Sequence, residues 1–333
     1  MTSLLRIAST EDGNSAGASD RGAGHARCGR RALPPAVRGR GHAHGARIAL
    51  VAAFLSLSAN SATPHQSPTF VLDRYDLSPG AGLRRELPWV LEEVSGLTVT
   101  PDGRLFAHND EWAAVYQIDP ETGGIVKAFM VGSAVVAGDF EGIAAARGGL
   151  ALVTSSGEIL EFPEGAAGSY VPYRVHTTQL GRFCEIEGLA YDPVQEEFLL
   201  PCKEPRTREF QGHLVVISVP LETMRPYQVP RVFLPLEALE DHGLEASFHP
   251  STIEVLPGDG TLILAAAREA ALVELTSRGR LLAARKLSKR DHPQAEGLAF
   301  LPDGTLVLAD EGRGGRGRIT LYPPVTLPEG GHP

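Results

Sequence analysis

One stretch of sequence recurs five times along the chain. Each copy begins with Glu or Ser and a small residue, and continues through an apolar pair or near-pair to a turn of the Pro-Asp-Gly type. The copies begin at Ser95, Glu141, Glu187, Ser251 and Glu296, so that successive starts are 46, 46, 64 and 45 residues apart. A period of roughly 40–50 residues with four short strands per unit is typical of a β-propeller. The sequence therefore predicts an all-β, five-bladed β-propeller over residues 69–323.

The ring of blades needs a strand to close it. The fifth copy has three clear strands and ends near Tyr322. An open ring would expose sheet edges, so we predict that the strand-like residues 70–77 form the outer strand of the last blade. A six-bladed ring is the alternative, with the extra blade taken from residues 203–250. That stretch is rich in proline and has no copy of the motif, so we interpret it as strands of blade three and a partly helical loop at 236–243.

Residues 1–62 differ in composition from the rest of the chain. They are rich in Gly, Ala, Arg, His and Ser, and they end in the apolar run 48–62, which is short for a membrane span. A basic stretch, a short apolar run and small residues after it indicate a secretory signal peptide. An uncleaved anchor, or a disordered tail followed by a buried apolar segment, are the alternatives. We expect a periplasmic or secreted protein, with membrane anchoring as the lesser alternative, and a short tail at 324–333.

The charge of the chain bears on its partners. The net charge is −9 over 333 residues, but residues 1–62 hold eight of the 31 basic and three of the 40 acidic residues. The rest of the chain therefore carries a net charge of −14. A domain this acidic favours cations and repels anionic polymers, which argues against nucleic acid as a partner.

Two cysteines remain when residues 1–62 are set aside. Cys184 precedes the inner strand of blade three, and Cys202 ends its second strand. Antiparallel pairing around the turn at 192–196 brings the two residues near each other. An even number of cysteines in an exported protein permits a disulfide, and two buried thiols are the other interpretation.

Polar residues recur at two places in each copy. The inner strand of a propeller blade lines the central channel, and here it begins with the Glu or Ser of the motif. The second strand runs antiparallel and ends at the same face, so two rings of polar groups should converge on one mouth of the channel. The second strands end in Asn109-Asp110, Ser155-Ser156, Lys203-Glu204, Arg268-Glu269 and Asp310-Glu311.

Carboxylates from several blades, brought close together, favour a bound cation. Each resists ionisation beside the others unless positive charge lies between them. Calcium takes six to eight oxygen ligands, whereas zinc and copper prefer nitrogen and sulfur. The sequence therefore predicts calcium at the channel mouth, and the alternative is that the acids only organise the blades, with Lys203 and Arg268 neutralising part of their charge. The candidate metal ligands are Glu141, Glu187, Glu296, Asp110, Glu204 and Glu311.

The motif copies resemble the SdiA-regulated, or YjiK/CarP-like, family of bacterial β-propellers. The resemblance covers nearly all of residues 69–323. It implies a five-bladed propeller, a bound calcium ion and an envelope location, and a phytase-like or calcium-linked role suggested for some members. The chain departs from the family in its long Arg-rich start and in Ser251-Thr252, which replaces Glu-Gly. The residues that carry the resemblance are 95–97 (SGL), 139–144 (DFEGIA), 185–190 (EIEGLA), 202–205 (CKEP) and 295–299 (AEGLA).

No catalytic residue is assigned. Residues 63–333 contain no G-x-S-x-G elbow, phosphate-binding loop or H-E-x-x-H zinc motif. His108, His249 and His292 lie beside motif copies, where a histidine could act as a general base for ester hydrolysis or simply lie in a rim loop. We predict an exported calcium-binding propeller that acts as a recognition module of the bacterial envelope. The alternative is a calcium-dependent ester or phosphoester (phytase-like) hydrolase working at the channel mouth.

The rim loops at 203–213 and 236–249 are expected to carry specificity, because loops on a rigid scaffold usually do. The expected partner is an unidentified protein or small-molecule ligand at the channel rim. Peripheral membrane association is a further alternative, and we expect a monomer.

Overall fold

The computed structural model describes residues 70–256, 258 and 260–325. The expected signal peptide and the end of the tail lie outside these residues. Five sheets, antiparallel except for one short parallel pairing, make up most of the described chain. After β1 (Leu83–Glu86), the strands of the first two sheets are β2 (Val94–Val99), β3 (Leu105–Asn109), β4 (Ala114–Ile118), β5 (Ile125–Val131), β6 (Phe140–Ala146), β7 (Gly149–Thr154), β8 (Glu158–Phe162), β9 (Tyr170–Val171) and β10 (Arg174–Thr177).

The remaining sheets follow the same plan. The third sheet contains β11 (Cys184–Ile186), β12 (Ala190–Asp192), β13 (Glu197–Pro205), β14 (His213–Pro220) and β15 (Val232–Pro235). The fourth contains β16 (Thr252–Val255), β17 (Leu262–Ala266), β18 (Ala271–Leu275) and β19 (Leu281–Lys286). The fifth contains β20 (Ala295–Phe300), β21 (Leu306–Asp310) and β22 (Arg318–Tyr322), together with β1. Short 3₁₀ helices occur at Val71–Arg74, Trp89–Leu91, Leu180–Arg182 and Leu236–His242.

The innermost strands form a closed ring. Strand β2 contacts β6, β6 contacts β12, β12 contacts β16, β16 contacts β20, and β20 returns to β2. The protein is therefore a five-bladed β-propeller, as predicted, and the six-bladed alternative is wrong. Residues 203–250 supply parts of the third blade and the 3₁₀ helix Leu236–His242, which confirms the partly helical loop. The short β9 is an addition to blade one, where it pairs in parallel with β5.

The ring is closed by an N-terminal strand, but by a different one from that predicted. Strand β1 pairs with β22, with Leu83 opposite Leu321 and Glu86 opposite Arg318. Residues 70–77, the predicted closing strand, instead begin with a single 3₁₀ turn at Val71–Arg74. The apolar side chains that suggested a strand pack between blades four and five. Strand β1 itself is mostly exposed, so it has no apolar alternation to reveal it.

A buried carboxylate holds this 3₁₀ turn in place. The backbone N–H groups of Val71 and Leu72 donate to the two carboxylate oxygens of Glu274, at 3.0 and 2.9 Å. Glu274 lies on β18 in blade four and is 2% exposed. Both carboxylate oxygens are therefore used, as burial of a charged group requires.

The core lies between the blades. The described residues form five apolar clusters, and each draws its side chains from two blades that are neighbours in the ring. Each blade is thus buried on both faces, which explains the nearly continuous apolar runs of its inner strands. Within the described part of the chain, no helix is long and apolar enough to cross a membrane.

Cys184 and Cys202 form a disulfide that joins β11 to β13. Their Cα atoms are 5.4 Å apart, within the range of about 4.4–6.8 Å that a disulfide needs. The disulfide interpretation is confirmed over that of two free thiols. The bond lies directly beside Lys203, so it ties down the strand ends that carry the polar residues of blade three.

We expect that replacing both cysteines by alanine lowers the free energy of unfolding by about 3 kcal/mol, since the bond closes a loop that the unfolded chain would otherwise leave open. The two cysteines are 18 residues apart. Urea titration of the Cys184→Ala/Cys202→Ala protein measures the loss. The Cys28→Ala protein, which keeps the disulfide, is the matched control, and equal stability of the two would contradict the prediction.

Candidate functional site: an acidic mouth of the channel

The first residue of the motif lies on a β-bulge in three blades. The register between the inner and second strands skips Ser95 in blade one, Glu141 in blade two and Glu296 in blade five. A bulge leaves one residue outside the ladder and redirects its side chain. In blade three the register shifts between Glu185 and Ile186, just before Glu187. The first residue of the motif is therefore placed by the same local irregularity in blades one, two and five, whereas in blade three the residue left outside the ladder is Lys203 on β13.

Glycine follows these residues because the inner strands nearly touch at this end. A Cβ atom on Gly142 would lie 2.5 Å from the backbone nitrogen of Leu189 in the next blade. A Cβ atom on Gly297 would lie 2.8 Å from Cγ of Leu97. Only glycine fits such an approach, which accounts for the Glu-Gly pair in the motif. The same approach draws the preceding side chains together.

Hydrogen bonds connect the side chains at this mouth. Ser95 Oγ donates to Glu141 Oε2 at 3.3 Å, which joins blades one and two. Lys203 Nζ donates to Glu187 Oε1 at 2.7 Å within blade three. Gln294 Nε2 donates to Glu296 Oε1 at 2.7 Å in blade five. Gln294 has no counterpart in the other motif copies, so it was not predicted as a site residue.

Three of the predicted ligands repel one another. Burial raises the pKa of Glu141 to about 9, and the charges of Glu187 and Asp139 push it in the same direction. Burial also raises the pKa of Glu187, against the opposing effect of the Lys203 ammonium. Burial raises the pKa of Glu296 well above its usual range, and the charge of Glu187 adds to this. The three carboxyl groups therefore cannot all ionise at neutral pH without added positive charge.

A second cluster of acidic side chains comes from blades one and five. Burial raises the pKa of Glu311 to about 7, and the carboxylates of Asp110 and Glu93 raise it further. Burial raises the pKa of Asp110. The charge of Asp110 is the main cause of the raised pKa of Glu93, followed by burial. Glu93 was not predicted, although its position two residues before the first motif copy could have suggested it.

Lys203 is a cation whose charge acts on carboxyl groups of both acidic clusters. Burial lowers its pKa, but the carboxylate of Glu187, with help from Glu296 and Glu141, raises it by more. The ammonium therefore stays charged, and its bond to Glu187 commits it to blade three. The mouth brings one ammonium against the carboxyl groups of Glu93, Asp110, Glu141, Glu187, Glu296 and Glu311.

Two oxygens of this mouth have no partner. Asp110 Oδ1 and Glu296 Oε2 are buried, and neither has a hydrogen-bond partner among the described residues. Buried polar atoms are nearly always paired, so such oxygens suit a hard cation. Among the described residues, however, no three His, Cys, Asp or Glu side chains are grouped as a ready-made metal site. A cation here would therefore need water or other oxygens to complete its shell.

Five of the six predicted ligands belong to this mouth, and Glu204 lies apart from them. Its Oε1 accepts from Arg268 Nη2 of blade four at 2.9 Å, and it is partly exposed. His249 Nε2 is 3.8 Å from the same oxygen. Glu204 therefore belongs to an ion pair on the rim between blades three and four.

The three histidines are held by local partners. Burial lowers the pKa of His108 to about 4, so its ring is neutral. His292 is buried between Asp310 Oδ2, at 2.8 Å from Nδ1, and the hydroxyl of Tyr322, at 2.7 Å from Nε2. His249 Nδ1 lies 2.7 Å from Glu269 Oε1. These contacts favour structural roles over a general base.

No protein-family model matches the chain, and no curated protein sequence does. Among solved structures, the chain is similar to a luciferin-regenerating enzyme, with 10% identity and a TM-score of 0.47 over 73% of this chain and 96% of that one. It is also similar to the PQQ-bound aldose sugar dehydrogenase of Streptomyces coelicolor, with 14% identity and a TM-score of 0.44 over 74% and 99%. For the glutaminyl cyclase of Myxococcus xanthus the values are 14%, 0.44, 73% and 96%. Likenesses this distant carry no argument about function.

The raised pKa of Glu141 predicts a pH-dependent stability. This carboxyl titrates near 4.5 in the unfolded chain and near 9 in the folded protein. Between those values the unfolded chain has lost a proton that the folded protein keeps, so rising pH favours unfolding. In the presence of a chelator, we expect the free energy of unfolding to fall between about pH 5 and pH 9 by less in Glu141→Gln than in the wild type.

Urea titrations at several pH values measure this difference. Glu204→Gln, which changes an exposed carboxylate outside the acidic mouth, is the matched control and should follow the wild-type curve. Parallel curves for the wild type and Glu141→Gln would contradict the prediction.

Proposed function

We propose that the protein is an exported, calcium-binding β-propeller that acts as a recognition module of the bacterial envelope, with the acidic mouth as its calcium site. The observation that carries the proposal is the excess of buried carboxyl groups over a single ammonium, with two carboxyl oxygens left unpaired. In the absence of a metal, protons on the carboxyl groups neutralise this excess of negative charge. A bound cation would replace them.

The chemistry of the donors favours calcium over other metals. The side chains at the mouth are carboxylates, a hydroxyl and an amide, which are the ligands of hard cations. Calcium accepts irregular shells that include water, whereas magnesium demands a near-octahedral one. Because Lys203 is bound to Glu187, the cation is best placed nearer Asp110 and Glu296, whose free oxygens face no ammonium bond.

Three features support the envelope location. The apolar run at 48–62 follows a basic stretch, as in a signal peptide. The disulfide between Cys184 and Cys202 suits an oxidising compartment. The resemblance of the motif copies to the SdiA-regulated family points to the same location and to calcium.

A calcium-dependent hydrolase is the second candidate, and one observation favours it. Glu141 keeps its proton at neutral pH, and it lies beside Glu187, which is paired with an ammonium. A protonated carboxyl group beside one that is paired with an ammonium can supply the acid and the base of a hydrolysis. Calcium-dependent turnover of p-nitrophenyl phosphate or p-nitrophenyl acetate that is lost in Glu141→Gln would favour this candidate over a pure recognition module.

Thermal unfolding of metal-free protein with calcium, with magnesium and with chelator tests the calcium site. A ligand that binds only the folded state stabilises it by about 2.7 kcal/mol at a hundredfold excess over its Kd. We expect a calcium-specific rise in Tm that is reduced in Asp110→Asn and Glu296→Gln. Glu204→Gln is the control and should respond as the wild type does.

Calcium binding should also release protons at neutral pH, because the carboxyl groups that bind it are partly protonated beforehand. Calorimetric titrations in two buffers with different ionisation enthalpies measure the release. A metal-free sample that shows neither a Tm shift nor binding heat would refute the calcium site and leave the acids as groups that order the blades.

A further inference from the structure

The channel opens at its other end into a separate cavity. The acidic mouth lies where the inner strands begin, whereas this cavity is lined by their last residues and the turns that follow. Glu254, for example, lies three residues beyond Ser251, roughly 10 Å along the strand. The cavity has a volume of about 620 Å³ and takes side chains from all five blades. That volume is within the range of about 300–1,000 Å³ typical of small-molecule sites.

The wall of this lower cavity is mostly apolar. Its side chains include Val99, Ala144, Leu189, Val255, Phe300 and Pro302. A mostly apolar wall with a few polar groups is the usual character of a ligand pocket, because apolar contact supplies affinity and the polar groups supply orientation. The polar group that orients a ligand must be one whose hydrogen bonds are not already made within the protein.

Most polar side chains around the cavity are already engaged. Thr98 Oγ1 accepts from the backbone N–H of Ala145 at 3.0 Å. Thr100 Oγ1 donates to Asp102 at 2.6 Å. Arg104 is bound to Glu164 and to Asp102, and Arg147 is paired with Glu196 outside the cavity.

Glu254 is the charged side chain of the wall that forms no ion pair. Its Oε1 accepts one hydrogen bond, from the backbone N–H of Val255 at 2.9 Å, and its Oε2 has no partner among the described residues. The side chain is partly open to the cavity, yet protein surrounds it, and burial raises its pKa to about 8. None of the charged side chains that line the cavity, which are Asp102, Arg104, Arg147 and Glu164, contributes to that shift.

We propose that the lower cavity binds a small, mostly apolar molecule that carries one basic amine, with the ammonium group bound to Glu254 and the apolar part against the inner strands. An anionic ligand would find no opposite charge at Glu254 and would be repelled once that group ionises, and a lone carboxyl group supplies too few ligands for calcium. An ammonium supplies both the opposite charge and the hydrogen-bond donors that Oε2 lacks. On binding, the carboxyl proton passes to solvent and leaves a carboxylate–ammonium pair. This site is independent of the proposed calcium site.

Octylamine is the probe, and octan-1-ol, which has the same chain without the charge, is the matched control ligand. Isothermal titration calorimetry of the full-length protein near neutral pH should show saturable binding of octylamine to one site. We expect it to bind about ten- to a hundredfold more tightly than octanol, as a charge-assisted hydrogen bond in a buried site allows. Titration in two buffers should show a proton released with the amine and none with the alcohol.

Three variants complete the test. Glu254→Gln should bring the affinity for octylamine down to that for octanol, and Glu222→Gln, an exposed change on the same side of blade three that touches no side chain of the cavity, should leave both unchanged. Ala146→Leu, which fills part of the cavity, should weaken both ligands. If Glu254→Gln does not fold, the proton release by the wild type still decides. Equal affinities for amine and alcohol, non-saturable uptake, or no proton release would overturn the proposal.

Discussion

The channel of this propeller depends on how closely its inner strands approach at one end. Gly142 lies against the backbone of Gly188 and Leu189, and Gly297 lies against Leu97, at distances that no Cβ atom tolerates. Each approach joins two neighbouring blades. Because the residue before each glycine is a bulged glutamate, tight packing of the ring and the gathering of its carboxyl groups have one structural cause. Blade geometry and site chemistry are therefore not independent in this molecule.

The excess negative charge at the acidic mouth can be neutralised either by protons or by bound cations. Lys203 neutralises Glu187, but Glu141, Glu296 and Glu311 keep raised pKa values around it. A carboxyl group in this state is stable without a metal and is also ready to exchange its proton for one. The lower cavity shows the opposite situation, since the carboxyl groups of Asp102 and Glu164 are paired with Arg104 there, and no charged side chain acts on Glu254.

The ring of blades was predictable because the motif repeats. An error in placing any single strand does not change the number of copies, and so does not change the predicted number of blades. Two of the bulged residues also carry a sequence signal, since a Glu-Gly pair marks them in blades two and five. The closing strand was not predictable, because β1 is an exposed outer strand and its Leu-Arg-Arg-Glu sequence has no alternation. Residues 70–77 misled for the converse reason, as their apolar side chains fill a groove between blades. Glu254 could not be singled out from the sequence either, because its role depends on a cavity that is formed by side chains from all five blades.

Because β1 and β22 close the ring, the last blade can form only after both strands have been synthesised. Leu83 and Leu321 are 238 residues apart in the chain, so the last blade is incomplete until β22 has been synthesised. Contacts of such long sequence separation form slowly and late in folding. While β22 is still missing, the ring stays open and β21 keeps an unpaired sheet edge.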